Sequence, residues 1–127
     1  QAKTQKQYDV IYMDAFLKPT PQTDATGVPL RIKGVQFYKD VQKKLAPEGL
    51  VVWNINVHPG LKDDWQTITE AFPQAYLLRT EAANVVAIGS LSAQRPSAAV
   101  LRGRAQQLDR RFKTNFSFAE WAAQLAR

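Results

Sequence analysis

The stretch YDVIYMDAF, residues 8–16, decides how the chain is read. Val10 to Met13 form a short apolar run rich in β-branched and aromatic neighbours, and Pro19 closes the segment, so it reads as a buried strand. Asp14 interrupts that run with a carboxylate, which needs hydration, a partner or a chemical task. Downstream, residues 34–46 have helical periodicity, with Tyr38, Val41 and Leu45 on one face and Phe37 beside them. Pro47-Glu48-Gly49 stops the pattern, and LVVWNINV, residues 50–57, reads as a second buried strand. Two apolar strands joined through a helix predict a βαβ unit, with parallel strands and a right-handed crossover.

From this unit the rest of the chain can be placed. Residues 17–33 (LKPTPQTDATGVPLRIK) hold three prolines and a glycine and read as a long loop, a length that in a small domain goes with function or mobility. Asp63 with Gln66 has capping-box spacing and predicts a helix running to Phe72, before Pro73. Residues 75–80 and 84–90 read as an antiparallel hairpin. Residues 97–112 form an arginine-rich helical pattern with Val100, Leu101, Leu108 and Phe112 as its apolar members. Ser117 with Glu120 is a second capping box, opening a short helix with Trp121 and Leu125. The fold class is α/β, in two parts: residues 1–92, and a basic helical extension over residues 93–127.

Composition narrows the chemistry. The 127 residues are 45% hydrophobic and 22% charged, as in a packed domain. With no cysteine and one histidine, His58, disulfides, thiolate zinc sites and multi-histidine metal sites are excluded within the chain, and no metal is expected. No apolar run approaches the roughly 18–20 residues of a membrane span, and QAKTQKQ carries no hydrophobic signal segment. The expectation is a soluble, cytoplasmic protein. The net charge of +6 concentrates in the last quarter, at Arg102, Arg104, Arg110, Arg111, Lys113 and Arg127. Without interleaved aromatics or a nucleic-acid motif, a solvated face is the preferred reading and nucleic acid is not the expected partner.

Ligands of open parallel sheets bind beyond the carboxyl ends of the strands. Asp14 occupies such an end, Asn54 and Asn56 the neighbouring one, and the long loop can close over both. A carboxylate there can take a proton from an amine or hold a cation; equally, it can cap a turn after the strand. Tyr12 reads as packing, Asp24 as a turn former, His58 as a loop histidine or an acid–base group, Trp53 and Trp65 as core. Asp63 and Asp64 sit where a helix N-terminus favours negative charge. No glycine-rich turn follows a strand, and no acidic residue stands about twenty positions beyond one, so no nucleotide-binding fingerprint is visible.

The order YDVIYMDAF, proline-containing loop, FYKDVQKKLAPEGLVVWNI, helix and hairpin resembles the second half of the spermidine synthase family over residues 8 to about 90. The resemblance implies the C-terminal half of a Rossmann-like methyltransferase fold: two parallel strands via a helix, then the hairpin. It implies aminopropyl transfer from decarboxylated S-adenosylmethionine to an amine, with Asp14 as the proton-accepting catalytic residue and Tyr12, Ala15, Phe16 and Asn56 against a small-molecule amine substrate. Decarboxylated S-adenosylmethionine, or S-adenosylmethionine itself, would be the co-substrate, with no tightly bound cofactor. The family's second aspartate is replaced by Leu17, and its glycine-rich nucleoside-binding half has no counterpart in these residues. The isolated chain is therefore expected to be inactive. The alternatives are a methyltransferase on the same fold, or a non-catalytic α/β interaction module with a basic tail. In the complete fold the first strand would have a neighbour on its other side, so a homo-oligomer through that apolar edge is expected.

Overall fold

The computed structural model describes residues 6–14, 19–24 and 26–125. Four strands form one sheet: β1 (Tyr8–Met13), β2 (Leu45–Asn56), β3 (Gln74–Arg79) and β4 (Asn84–Ser90). Their spatial order is β1-β2-β4-β3. The β1–β2 pair is parallel, and β4 lies antiparallel to both β2 and β3. Helices α1 (Val35–Gln42) and α2 (Leu61–Ala71) follow β1 and β2; α3 (Ala98–Arg111) and α4 (Phe118–Leu125) follow the sheet. The parallel unit, the hairpin and the terminal helices stand as the sequence predicts.

The core lies on the sheet face that α1 and α2 cover. Val51, Trp53, Val85 and Ala87 alternate inward from β2 and β4, against Tyr38 of α1 and Ile68 of α2. Tyr38, Trp53 and Phe72 form an edge-to-face aromatic cluster, with Trp53 centred 5.1 Å from Tyr38 and 5.4 Å from Phe72. Phe72 lies so close on β4 that a Cβ at Gly89 would come 2.7 Å from its ring, which makes glycine the residue that lets the helix end settle there. On the opposite face, β1 exposes Tyr8, Val10 and Tyr12.

Several boundaries differ from expectation. The helix of residues 34–46 ends at Gln42, and β2 begins at Leu45 rather than at residue 50. Leu45 is buried, and the Tyr8 amide donates to the Lys44 carbonyl at 2.8 Å, so pairing with β1 captures the segment before the proline. The register then jumps: Tyr8 faces Leu45 and Val10 faces Leu50, so Pro47 falls in an irregularity, where its missing donor costs no ladder bond. β1 itself ends at Met13; residues 15–18 lie outside the described residues.

The capping box at Asp63 does not form. α2 begins at Leu61 with Gly60 as its N-cap, and Gln66 instead donates to Glu70 at 3.1 Å. Gly60 packs against the His58 ring, where a Cβ would come within 2.8 Å of Cε1. At the second predicted box Ser117 does act as a cap: the Glu120 amide donates to Ser117 Oγ at 3.3 Å. Asp109 of α3 reinforces that end by accepting from the amides of Phe118 (2.6 Å) and Ala119 (3.1 Å), bonds that lower its pKa, the Phe118 bond most. Arg102, Arg104, Arg110 and Arg111 are exposed along α3.

Candidate functional site

Two polar groupings occupy the carboxyl-terminal rim of the parallel strands. The first runs across the strand ends. Asp14, one residue beyond β1, lies beside Asn54 of β2, whose side-chain amide donates to Asp14 Oδ1 at 3.3 Å. Asn54 is oriented from behind: its Oδ1 accepts from Asn84 Nδ2 at 2.6 Å. Asn84 Oδ1 in turn accepts from Thr80 Oγ1 at 2.8 Å. A relay of neutral amides thus turns a donor toward one exposed carboxylate. Its members come from the ends of β1 and β2, the start of β4 and the β3–β4 connection, which the parallel and antiparallel registers bring to one line.

The second grouping ties the long loop to α2. Asp24 Oδ1 accepts from the Thr26 amide (2.8 Å), the Thr26 hydroxyl (2.7 Å) and the Val28 amide (3.1 Å). Its Oδ2 pairs with Lys33, whose ammonium also meets Asp64 Oδ1 at 2.8 Å. Asp64 Oδ2 lies 2.7 Å from His58 Nε2, and His58 Nδ1 accepts from the Gly60 amide at 3.1 Å. Burial alone would raise the Asp24 pKa, but the bonds from Lys33, Thr26 and Val28 outweigh it and hold the carboxyl well below the usual range. Burial opposes the charge on Lys33, and the two aspartates more than offset it, raising its pKa. Ligand atoms of Asp24, His58 and Asp64 lie within 4.8 Å of one another, a spacing that suits a cation. The ammonium of Lys33 is the cation that pairs with both carboxylates.

Between the two groupings lies a cavity of about 30 Å³, lined among others by Met13, Lys33, Tyr38, Trp53 and Asn54. Burial, and then the charge of Asp64, push the Tyr38 phenol up; the neighbouring Trp53 indole pulls the other way. The indole N–H is buried and, among the described residues, meets no acceptor in hydrogen-bonding geometry.

The sequence-derived candidates divide accordingly. Asp14 and Asn54 are in contact. Asn56 stands further along β2, exposed and opposite Asn84. Tyr12 is 59% exposed on β1, so it does not pack as its pattern suggests. Ala15 and Phe16 lie outside the described residues. His58 is no surface-loop histidine: its side chain is buried against Asp64 and Gly60. Asp24 makes its turn and an ion pair besides. Trp53 is core, and Trp65 packs partly buried against it. Nothing in the sequence singles out Lys33, Asn84 or Thr80; Asn84 and Thr80 flank a hairpin connection, where side-chain amides and hydroxyls commonly bond locally.

No protein-family model matches the chain, and no curated protein matches it by sequence. Solved structures do. Human methyltransferase-like protein 13, solved in complex with SAH, is 27% identical, with a TM-score of 0.76 over 91% of this chain and 53% of its own. A spermidine synthase in complex with the transition-state analogue AdoDATO is 15% identical, with a TM-score of 0.65 over 97% of this chain and 43% of its own. A probable spermidine synthase from Corynebacterium glutamicum is 21% identical, with a TM-score of 0.56, over 97% and 47% respectively. The chain spans about half the length of each. Among the described residues, no helix is long and apolar enough to cross a membrane. Sheet order, parallel unit and terminal hairpin together are those of a class I methyltransferase fold, of which this chain carries a part.

Proposed function

We propose that the chain supplies the acceptor side of a transferase that moves an alkyl group from a sulfonium donor to an amine. The observation that carries this reading is the exposed Asp14 carboxylate at a parallel-strand end, fixed by the Asn54 amide and backed by Asn84. Such a carboxylate binds an ammonium or amine by charge-assisted hydrogen bonds and takes the proton that the nitrogen loses as it forms its new bond to carbon. The amide relay orients the carboxylate without neutralising it, so its charge stays available to the acceptor.

None of the described strands ends in a glycine-rich turn, so these residues offer no nucleoside cradle. The donor would contribute an electrophilic carbon on sulfur. The likeness to spermidine synthases supports an aminopropyl group. The higher identity and TM-score of the methyltransferase-like neighbour favour a methyl group, and methyl transfer is the preferred reading.

The test is to incubate the longest protein its gene encodes with S-adenosylmethionine or its decarboxylated form and a panel of small-molecule amines. Mass spectrometry then reads methyl or aminopropyl addition. Methylated product that disappears with Asp14→Asn supports the proposal. Aminopropylated product would replace methyl by aminopropyl transfer. Turnover unaffected by Asp14→Asn would overturn the assigned role.

A further inference from the structure

The cavity between the two polar groupings adjoins the presented carboxylate. Met13 precedes Asp14 in the chain, and Asn54, whose amide donates to Asp14 Oδ1 at 3.3 Å, stands in the cavity wall. The other walls are mainly hydrocarbon: Val28 and Ile32 from the loop, Tyr38 from α1, Trp53 and Ile55 from β2. Such walls take an apolar group. The volume of about 30 Å³, comparable with the share of one water in the liquid, limits that group to the breadth of a single methyl or methylene. Asp24, Lys33 and Asp64 border the same cavity, and each oxygen of the two carboxylates has a partner. Asp24 Oδ1 accepts from Thr26 and Val28, Lys33 bridges Asp24 Oδ2 and Asp64 Oδ1, and Asp64 Oδ2 meets His58. The Lys33, Asp24 and Asp64 side chains are 16%, 9% and 13% exposed, so a competing cation must break a shielded ion pair to reach either carboxylate.

We propose that this cavity receives the aliphatic end of the acceptor amine, and that Lys33 is a specificity-determining residue that turns away a second ammonium. The acceptor class is then a monoamine with a short, unbranched apolar end. Its nitrogen meets Asp14, and its hydrocarbon enters between the loop and β2. A diamine fits poorly, because its second ammonium has two places to go. Against the apolar walls it loses hydration without gaining a partner. At Asp24 or Asp64 it must first displace the ammonium of Lys33, which already fills the position a second charge would need. Lys33 thus acts as a built-in occupant, and the length of chain it fills is length denied to a substrate. This inference rests on the proposed transfer reaction for the fate of the amine, but the subsite is defined by binding and can be measured without the reaction.

The experiment is calorimetric titration of the longest protein its gene encodes with butylamine and with diaminobutane, which differ only in the second amine. The wild-type protein should bind butylamine at least about tenfold more tightly. Lys33→Ala frees both carboxylates and opens room for an ammonium. It should reverse the order, and its melting temperature should rise with diaminobutane but not with butylamine. Val28→Phe is the independent check if Lys33→Ala does not fold: it fills the cavity from the loop and leaves the ion pairs in place. It should weaken butylamine about tenfold and leave diaminobutane little changed. Butylamine binding that follows this pattern, with no alkyl transfer from either sulfonium donor, would end the transfer reading and leave the subsite standing. Alkyl transfer by the wild-type protein that prefers diaminobutane overturns the subsite and leaves the transfer reading intact. Butylamine binding that Val28→Phe does not change, an order that Lys33→Ala does not reverse, or binding of neither amine also overturns the proposal.

Discussion

Two polar clusters share the rim of one sheet and have opposite characters. In the loop–α2 cluster every charge is consumed: Asp24 is met by Lys33 and two backbone amides, and Asp64 by Lys33 and His58. At the strand ends, Asp14 faces solvent with a single side-chain donor among the described residues. The first arrangement holds a loop in place; the second presents a charge. A carboxylate surrounded by permanent partners has little left to give a ligand, whereas one that is oriented but unsatisfied can change partners at small cost.

The comparison breaks most readily at Lys33. Lys33→Met leaves two largely buried carboxylates facing each other and should cost about 3–5 kcal/mol of stability in urea unfolding. A loss near zero would show that the cluster does not hold the loop. Asp14→Asn should do the reverse: product formation should fall about 10²-fold or more, with unfolding free energy changed by less than about 0.5 kcal/mol. If that variant instead unfolds readily, Asp14 belongs to the architecture and the contrast collapses.

Acid sharpens the difference further. The folded-state pKa of Asp24 is depressed, so its contribution is complete above the unfolded value, near 3.9, and is lost as pH falls through the folded one. The urea midpoint of the wild-type chain should therefore drop more steeply below about pH 4 than that of Asp24→Asn. Lys33 has the opposite sign: its raised pKa gives stability that is present below the unfolded value and disappears as pH rises through the folded one. The smallest effect is expected at Asn84. Removing its amide with Asn84→Ala frees Asn54 to rotate, and one hydrogen bond of about 0.5–1.5 kcal/mol corresponds to a tenfold or smaller loss of turnover.

Where the sequence is a reliable guide, the determinants are local. The apolar run of residues 50–57 after Pro47-Glu48-Gly49 marks β2, the Ser117–Glu120 spacing marks the start of α4, and the apolar run into Asp14 marks a strand end. What cannot be read depends on segments that meet only after folding. Nothing near Lys33 announces Asp64, because the pair forms only when the loop crosses to α2. That pairing, with the His58–Gly60 contact, also explains the failed cap: the helix starts where His58 and Gly60 pack, one turn ahead of the predicted box. The early start of β2 likewise depends on Tyr8, which captures Lys44 from a distant strand. Asp14 is legible as a candidate because its oddity is local, and its Asn84 support is not, because it arrives through the β2–β4 register.

The placement of β4 between β2 and β3 has a consequence for synthesis. β3 leaves the ribosome before the strand that joins it to the sheet. Until residues 84–90 emerge, the β4 side of β2 is a bare margin, and Val51 and Trp53 lack the flank that Ala87 provides. A nascent chain stalled between residues 80 and 84 should therefore hold its helices loosely and be exposed to chaperones or proteases, and extension through Ser90 should release it in one cooperative step.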